Sequence, residues 1–225
     1  MKVVVKIGGH LFPSHLDKGK IQTFIETLRK LKREGHSLVV VTGGGKEARR
    51  YIEASRALGG SETANDLIAI MVTRINARIL ISGLGTDAYL EPPTDLEEVR
   101  KAFETGKIVV LGGLQPGQST NAVGILSAEA VGADLFINAT DVDGVYTEDP
   151  KRVSEAKKLD IIEVDELLKI VLKDELKAGS YKLFDLLAVK TLKRSGIKTV
   201  FIDGRVPENI ERVINGEKIG TVVRV

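Results

Sequence analysis

VVVTGGGKEARRYIEA, residues 39–54, is the stretch on which the fold turns. Val39, Val40 and Val41 are β-branched and uniformly apolar, the pattern of a strand buried on both faces of a parallel sheet. Gly43, Gly44 and Gly45 then remove every Cβ, so the backbone can adopt positive φ and a ligand can approach it directly. A helical pattern follows, and its unpaired first-turn N–H groups face the same space. The helix dipole favours an anion there, and Lys46, Arg49 and Arg50 add full positive charges within about one turn. This is an anion site in outline. The competing reading is a tight strand-to-helix turn with solvated basic residues.

The same arrangement recurs along the chain. Residues 3–7 form an apolar strand that runs into Lys6-Ile7-Gly8-Gly9-His10, where successive N–H groups beside a lysine make a second candidate phosphate nest. A strand over 107–111 ends in GGLQPGQSTNA: Gly112 and Gly113 turn the chain, Pro116-Gly117 forms a tight turn, and Ser119 or Thr120 caps a helix through Val123 and Leu126. A fourth strand over 135–139 leads into TDVDGVYTEDP. In an open parallel sheet such loops share the carboxyl ends of the strands, where ligands bind.

Helices fill the intervals. Asp17 caps a stripe of Ile21, Phe24, Ile25, Leu28 and Leu31, and Gly35 ends it. After the Gly59-Gly60 break, Ser61 or Thr63 caps a helix running to about Ile81, with Asp66 in its first turn, where a carboxylate also complements the helix dipole. Thr94 and Glu97 suggest a capping box for a helix to about Glu104. Further helices are expected over 165–172, 184–194 and 207–214, and strands over 199–202 and 221–225. Gly83-Leu84-Gly85-Thr86-Asp87-Ala88 fits a dinucleotide pattern on paper but follows a helix where that motif must follow a strand.

The whole chain narrows the function. With 225 residues it can bury a large core, as one domain or two tightly joined lobes. It has no cysteine, which removes disulfides and thiolate metal sites and suits a reducing compartment. Thirty-three basic residues against 31 acidic ones leave a net charge of +2, so binding to nucleic acid through bulk charge is not expected and any phosphate must be held locally. Lys2 precedes only three valines, too few for a signal peptide, and the apolar window over 121–139 carries Glu129 and Asp134, so no membrane span is expected and the location reads as cytoplasmic.

Neither the phosphate-loop spacing nor the protein-kinase loop set is present, and His10, His15 and His36 fit no Ser/His/Asp or metal-ligand pattern. No metal-ligating set is expected in the chain, and the aspartates of TDVDGVYTEDP lack the later ligands of a calcium loop. Positive charge and backbone N–H aimed at anions remain, the equipment of phosphoryl transfer. If the acceptor is itself a phosphate, its second pKa near 6 leaves the attacking oxygen deprotonated and no general base is required. Repulsion becomes the obstacle: two unit charges about 4 Å apart cost roughly 4 kcal/mol at an effective dielectric of 20.

KIGG, TGGGKEARRY, GGLQPGQST, TDVDGVYTEDP and AGSYKLFDLLAVKTLKRSGI, in this order over essentially the whole chain, resemble the archaeal-type uridylate kinases of the amino-acid kinase superfamily. The resemblance implies an α/β fold, a three-layer αβα sandwich with a largely parallel central sheet, in one domain over 1–225. Its part over 1–130 would hold the acceptor and its part over 131–225 ATP. Carried over, Lys6, Ile7, Gly8, Gly9, His10, Gly45, Arg49, Thr140, Tyr146 and Asp149 would bind ATP, which brings magnesium. Gly44, Asp66, Leu114, Gln115, Pro116, Gly117, Gln118, Ser119 and Thr120 would bind UMP, Asp66 through ribose hydroxyls. Lys6, Asp143 and Asp185 would be catalytic. Asp141 is a candidate organiser of Lys6. Lys182 and Asp185 fall where some members place a second lysine or a catalytic aspartate, with a surface cation and a helix cap as the competing readings. The resemblance also implies a homohexamer. Alternatives are a kinase of another small acceptor such as isopentenyl phosphate, a carboxylate kinase, and a non-catalytic nucleotide or oxoanion-binding protein on the same fold.

Overall fold

Strand β1 (Lys2–Ile7) lies at the centre of the molecule, paired in parallel with β2 (Ser37–Thr42) on one side and β4 (Leu135–Thr140) on the other. The computed structural model describes residues 1–175 and 184–225. Alternation along β1 divides the core. Val3, Val5 and Ile7 face the layer of α1 (Lys18–Arg33), α3 (Glu62–Leu84) and α8 (Glu208–Ile214). Val4 faces the layer of α4 (Leu96–Glu104), α5 (Thr120–Val131), α6 (Val164–Glu175) and α7 (Leu186–Ser195). Lys6 has the parity of Val4, so it points under α5, where Gly124 leaves the room: a Cβ there would lie 3.4 Å from the Lys6 Cβ and 2.6 Å from the Phe136 ring.

Among the described residues the sheet has seven strands in the order β3-β2-β1-β4-β8-β9-β7, with β3 at Val109–Leu111, β7 at Ile161–Glu163, β8 at Thr199–Asp203 and β9 at Thr221–Arg224. The first five run parallel, and β9 turns antiparallel to β8 and carries β7 with it. A separate hairpin joins β5 (Val145–Tyr146) to β6 (Lys158–Leu159). The expected three-layer sandwich with a largely parallel sheet is therefore the observed fold. Strands β5, β6 and β7, of two or three residues each, were not expected, because pieces so short carry no readable period.

Caps fall where short polar side chains precede an apolar run. Asp17 accepts the Lys20 N–H at 3.1 Å, Ser61 rather than Thr63 accepts that of Ala64 at 3.2 Å, and Ser119 rather than Thr120 accepts those of Asn121 and Ala122 at 3.1 Å. The capping box of α4 sits one residue later than expected: Asp95 accepts the Glu98 N–H at 2.8 Å, while the Glu98 carboxylate reaches back to the Thr94 N–H at 2.7 Å. The strand expected over 107–111 shortens to Val109–Leu111 at the sheet edge, where Ile108 makes only an isolated bridge to Ala88. The longest apolar helix is α3. Within Glu62–Asp87 an 18-residue window reaches a mean hydropathy of 1.6, enough to pass for a membrane span by length and composition, yet Ala77, Leu80 and Leu84 pack fully into the sheet's core.

Candidate active site

The carboxyl ends of β1, β2, β3 and β4 open into a cavity of about 770 Å³, a volume suited to more than one small ligand. The strand order grows from β1 through β2 to β3 on one side and through β4 to β8 on the other, so the loops after β1 and β4 leave for opposite layers here, beside those after β2 and β3, as at the switch point of an open parallel sheet. Two of these loops touch backbone to backbone. A Cβ on Gly9 would fall 2.1 Å from the Gly45 Cα, and Gly45 takes φ +66°, so no other residue fits either position without displacing the chain. The Gly43 N–H donates to the Ile7 carbonyl at 2.9 Å and the Gly8 N–H to that of Ala139 at 2.8 Å, which laces the glycine turns to neighbouring strands.

Of the three glycines of the motif only Gly45 needs positive φ; α2 (Gly45–Ala57) begins there, with Gly44 at its cap and no side chain occupying its first-turn amides. Lys46 and Arg49, both exposed, line the cavity beside that terminus. The first-turn amides of α2 and two cations thus share one edge of the cavity.

Lys6 lies at the floor, 9% exposed. Burial pulls its ammonium down to about 8, partly offset by the charges of Asp141 and Asp185. His10 lines the same wall. Burial lowers its pKa, so its imidazole is neutral at pH 7, and its Nε2 is buried with no partner among the described residues. Asp141 also lines the cavity; partial burial raises its carboxyl, but an ion pair with Lys151 outweighs this and holds it below the usual range.

Asp66 sits past the first turn of α3, and its Oδ2 accepts the Gly117 N–H at 2.8 Å. It anchors the loop over 112–119 while its other oxygen carries no bond to the described residues. Gln115, Gln118, Ser119 and Thr120 form the opposite wall, below the N-terminus of α5. Ser119 also donates to Asp185 Oδ2, whose Oδ1 accepts the Ala188 N–H at 3.0 Å. Both oxygens of Asp185 are thus engaged in joining the caps of α5 and α7, a positioning arrangement rather than a free catalytic carboxylate.

Residues 1–203 match the amino acid kinase family. The chain belongs to this family. It is 44% identical over 223 residues to the uridylate kinase of Methanobrevibacter smithii, covering 99% of both chains. To the uridylate kinase of Methanocella arvoryzae it is 44% identical over 224 residues, covering 100% of each. Among solved structures, the uridylate kinase from Archaeoglobus fulgidus superposes with a TM-score of 0.89 at 42% identity, over 99% of this chain and 100% of that one.

Several expected residues of this amino acid kinase site stand outside the cavity lining. Asp143 bonds to the Tyr146 hydroxyl at 2.6 Å and pairs with Lys158 at 3.4 Å; those contacts hold its carboxyl below the usual range and turn it into the β5–β6 hairpin. The aspartate of TDVDGVYTEDP that lines the cavity is Asp141, two residues earlier. Asp149 caps the turn at Lys151 and Arg152. The side chains of Ile7 and Leu114 belong to the apolar core, and Pro116 and Gly117 are exposed on the loop. Lys182 lies outside the described residues. Sequence reasoning missed Ala69, Ile70 and Thr73, which line the cavity from α3. The signal for Ala69 and Thr73 was that small and polar residues interrupt the apolar side of α3, which read there only as part of an amphipathic helix.

Proposed function

We propose that the chain transfers the γ-phosphoryl group of ATP to UMP, giving UDP and ADP, in the cytoplasm. The observation that carries this reading is the backbone contact of Gly9 with Gly45 above Lys6, with a separate amide-rich loop across the cavity. Two phosphates then lie on either side of one glycine divider. The donor is assigned to the side of Lys6, Gly8, Gly9, His10, Gly45, Arg49 and Thr140, with Tyr146 and Asp149 further out on the 131–225 part. The acceptor is assigned to Gly44, Asp66 and the loop to Thr120 on the 1–130 part.

The phosphate oxygen of UMP attacks the γ-phosphorus as the bond to the bridging oxygen of ADP breaks, and no proton has to move because that oxygen is already ionised. Lys6 offsets charge on the transferring group, in a site dry enough to strengthen the attraction. The amides at the start of α2, with Lys46 and Arg49, lower the repulsion between the two anions. The free oxygen of Asp66 accepts from a ribose hydroxyl. Magnesium enters as part of the nucleotide, where it neutralises phosphate charge; among the described residues no three acidic or histidine side chains converge to hold an ion, and Asp141 is the carboxylate nearest the donor side that lines the cavity.

Turnover is measured as ADP release from ATP and magnesium with UMP, CMP, isopentenyl phosphate and acetylglutamate in parallel. UMP is expected to give the highest kcat/KM. No turnover with any acceptor would replace this reading with that of a nucleotide-binding protein.

We also propose a homo-oligomer, a hexamer by the resemblance. Its support is an apolar stripe on α3, Leu67, Met71 and Ile75 at four-residue spacing and 48%, 57% and 59% exposed, with Tyr51 and Leu58 also exposed on and just after α2, the helix packed against α3.

A further inference from the structure

Helix α3 touches both amide-rich loops with buried polar side chains that the reaction itself does not require. Asn76, 6% exposed, donates its side-chain amide to the Gly43 carbonyl at 2.8 Å. Thr73, 4% exposed, accepts the Gly113 N–H at 2.7 Å through its hydroxyl, and the Arg74 Nε donates to the Gly113 carbonyl at 3.1 Å. The third loop is pressed against the helix backbone: a Cβ on Gly112 would lie 2.7 Å from the Arg74 N. The hydroxyl of Thr42, at the end of β2, closes the set by donating to the Thr73 carbonyl at 2.8 Å.

A trans peptide is planar, with its C=O and N–H on opposite sides. Once Asn76 holds the Gly43 carbonyl, the Gly44 N–H must point away from Asn76, and Gly44 lines the cavity. That N–H has no acceptor among the described residues. Glycines on both sides of this peptide would otherwise let it flip at little cost, since neither residue has a Cβ to oppose rotation.

We propose that Asn76 is a positioning residue: it fixes the peptide between Gly43 and Gly44 so that the Gly44 N–H is aimed at the acceptor's phosphate, while Thr73 and Arg74 fix the facing loop from the same helix. This rests on the assignment of Gly44 to the acceptor side. Asn76 touches no ligand, so its effect runs entirely through the orientation of one amide.

The test combines kinetics with amide NMR. Asn76→Leu keeps the branched heavy-atom shape at Cγ and removes the donor. It is expected to raise the KM for UMP about tenfold or more, the scale of one hydrogen bond to a charged group, with the KM for ATP within twofold. In the unaltered protein, the Gly44 amide resonance is expected to shift on titration with UMP and with inorganic phosphate, and in Asn76→Leu that shift is expected to be lost. A purely structural role predicts a lowered Tm with both KM values unchanged, and that result would overturn the proposal. If Asn76→Leu does not fold, a Gly44 resonance in the unaltered protein that ignores both UMP and phosphate overturns it equally. Absence of UMP turnover in the unaltered protein would count against the reaction assigned above; a Gly44 shift with phosphate would still uphold the positioning role.

Discussion

Lys6 shows how one residue is set by conflicting demands. Its ammonium is withdrawn from water before any phosphate arrives, and burial brings it down to about 8. An unfolded chain keeps the ordinary lysine value of 10.5, so between about 8 and 10.5 the unfolded state binds more protons. The stability of the free protein should therefore rise with pH through that window and be lower below it. Lys6→Met, which removes the buried charge at similar volume, is expected to raise the Tm at pH 7 while kcat falls roughly 10²–10³-fold, the scale for losing one preorganised stabiliser. Calorimetry and a coupled assay check both; an unchanged kcat would remove Lys6 from the mechanism. The kcat/KM of the unaltered enzyme should decline above about pH 8 as Lys6 loses its proton. Asp66→Asn is expected to raise the KM for UMP with little change for ATP, and an equal rise in both would contradict its place on the acceptor side. Lys6, Gly44 and Gly45 stood out in the sequence because a lysine or a glycine run at the end of an apolar strand is conspicuous, whereas Asp66, on a helix, was singled out by the resemblance; all four line the cavity. The choice between Asp141 and Asp143 was not, since it depends on which way a loop turns over two residues.

At the scale of elements, α5 has to pass close to β1 for Lys6 to lie beneath it. Gly124 sets that approach, its absent Cβ leaving space that would otherwise be 2.6 Å from the Phe136 ring. Gly→Ala inside a helix normally stabilises by about 1 kcal/mol. Here overpacking, typically about 1–3 kcal/mol, opposes it. Phe136 is fully buried and cannot swing clear, so Gly124→Ala is expected to lower the Tm and, by displacing Lys6, kcat as well; a raised Tm would show that the layer relaxes. The helices and longer strands were legible from apolar spacing and from Asp17, Ser61 and Ser119 as caps. The missed strands β5, β6 and β7 owe their pairing to neighbours distant in sequence, which no local pattern encodes.

At the scale of the molecule, α3 faces two ways. Thr73 and Asn76 meet the cavity's loops, while Leu67, Met71 and Ile75 form the exposed apolar stripe. A stripe of this kind is covered when copies associate symmetrically. Met71→Glu is expected to shift the protein towards smaller species in light scattering after gel filtration. An unchanged mass would place the interface elsewhere.

The sequence by itself determined the parallel α/β framework, the four strand-to-loop transitions and the kind of ligand they suit, because these follow from periodicity, glycine and charge within a few residues. Only the tertiary structure decided which loops meet. The Gly9–Gly45 contact, the burial of Lys6 beneath Gly124, the reversed pair β9 and β7, and the ties from Asn76 and Thr73 to separate loops join positions 20 or more residues apart. Such contacts are fixed by the packing of layers on the sheet, where side chains from distant segments compete for the same space.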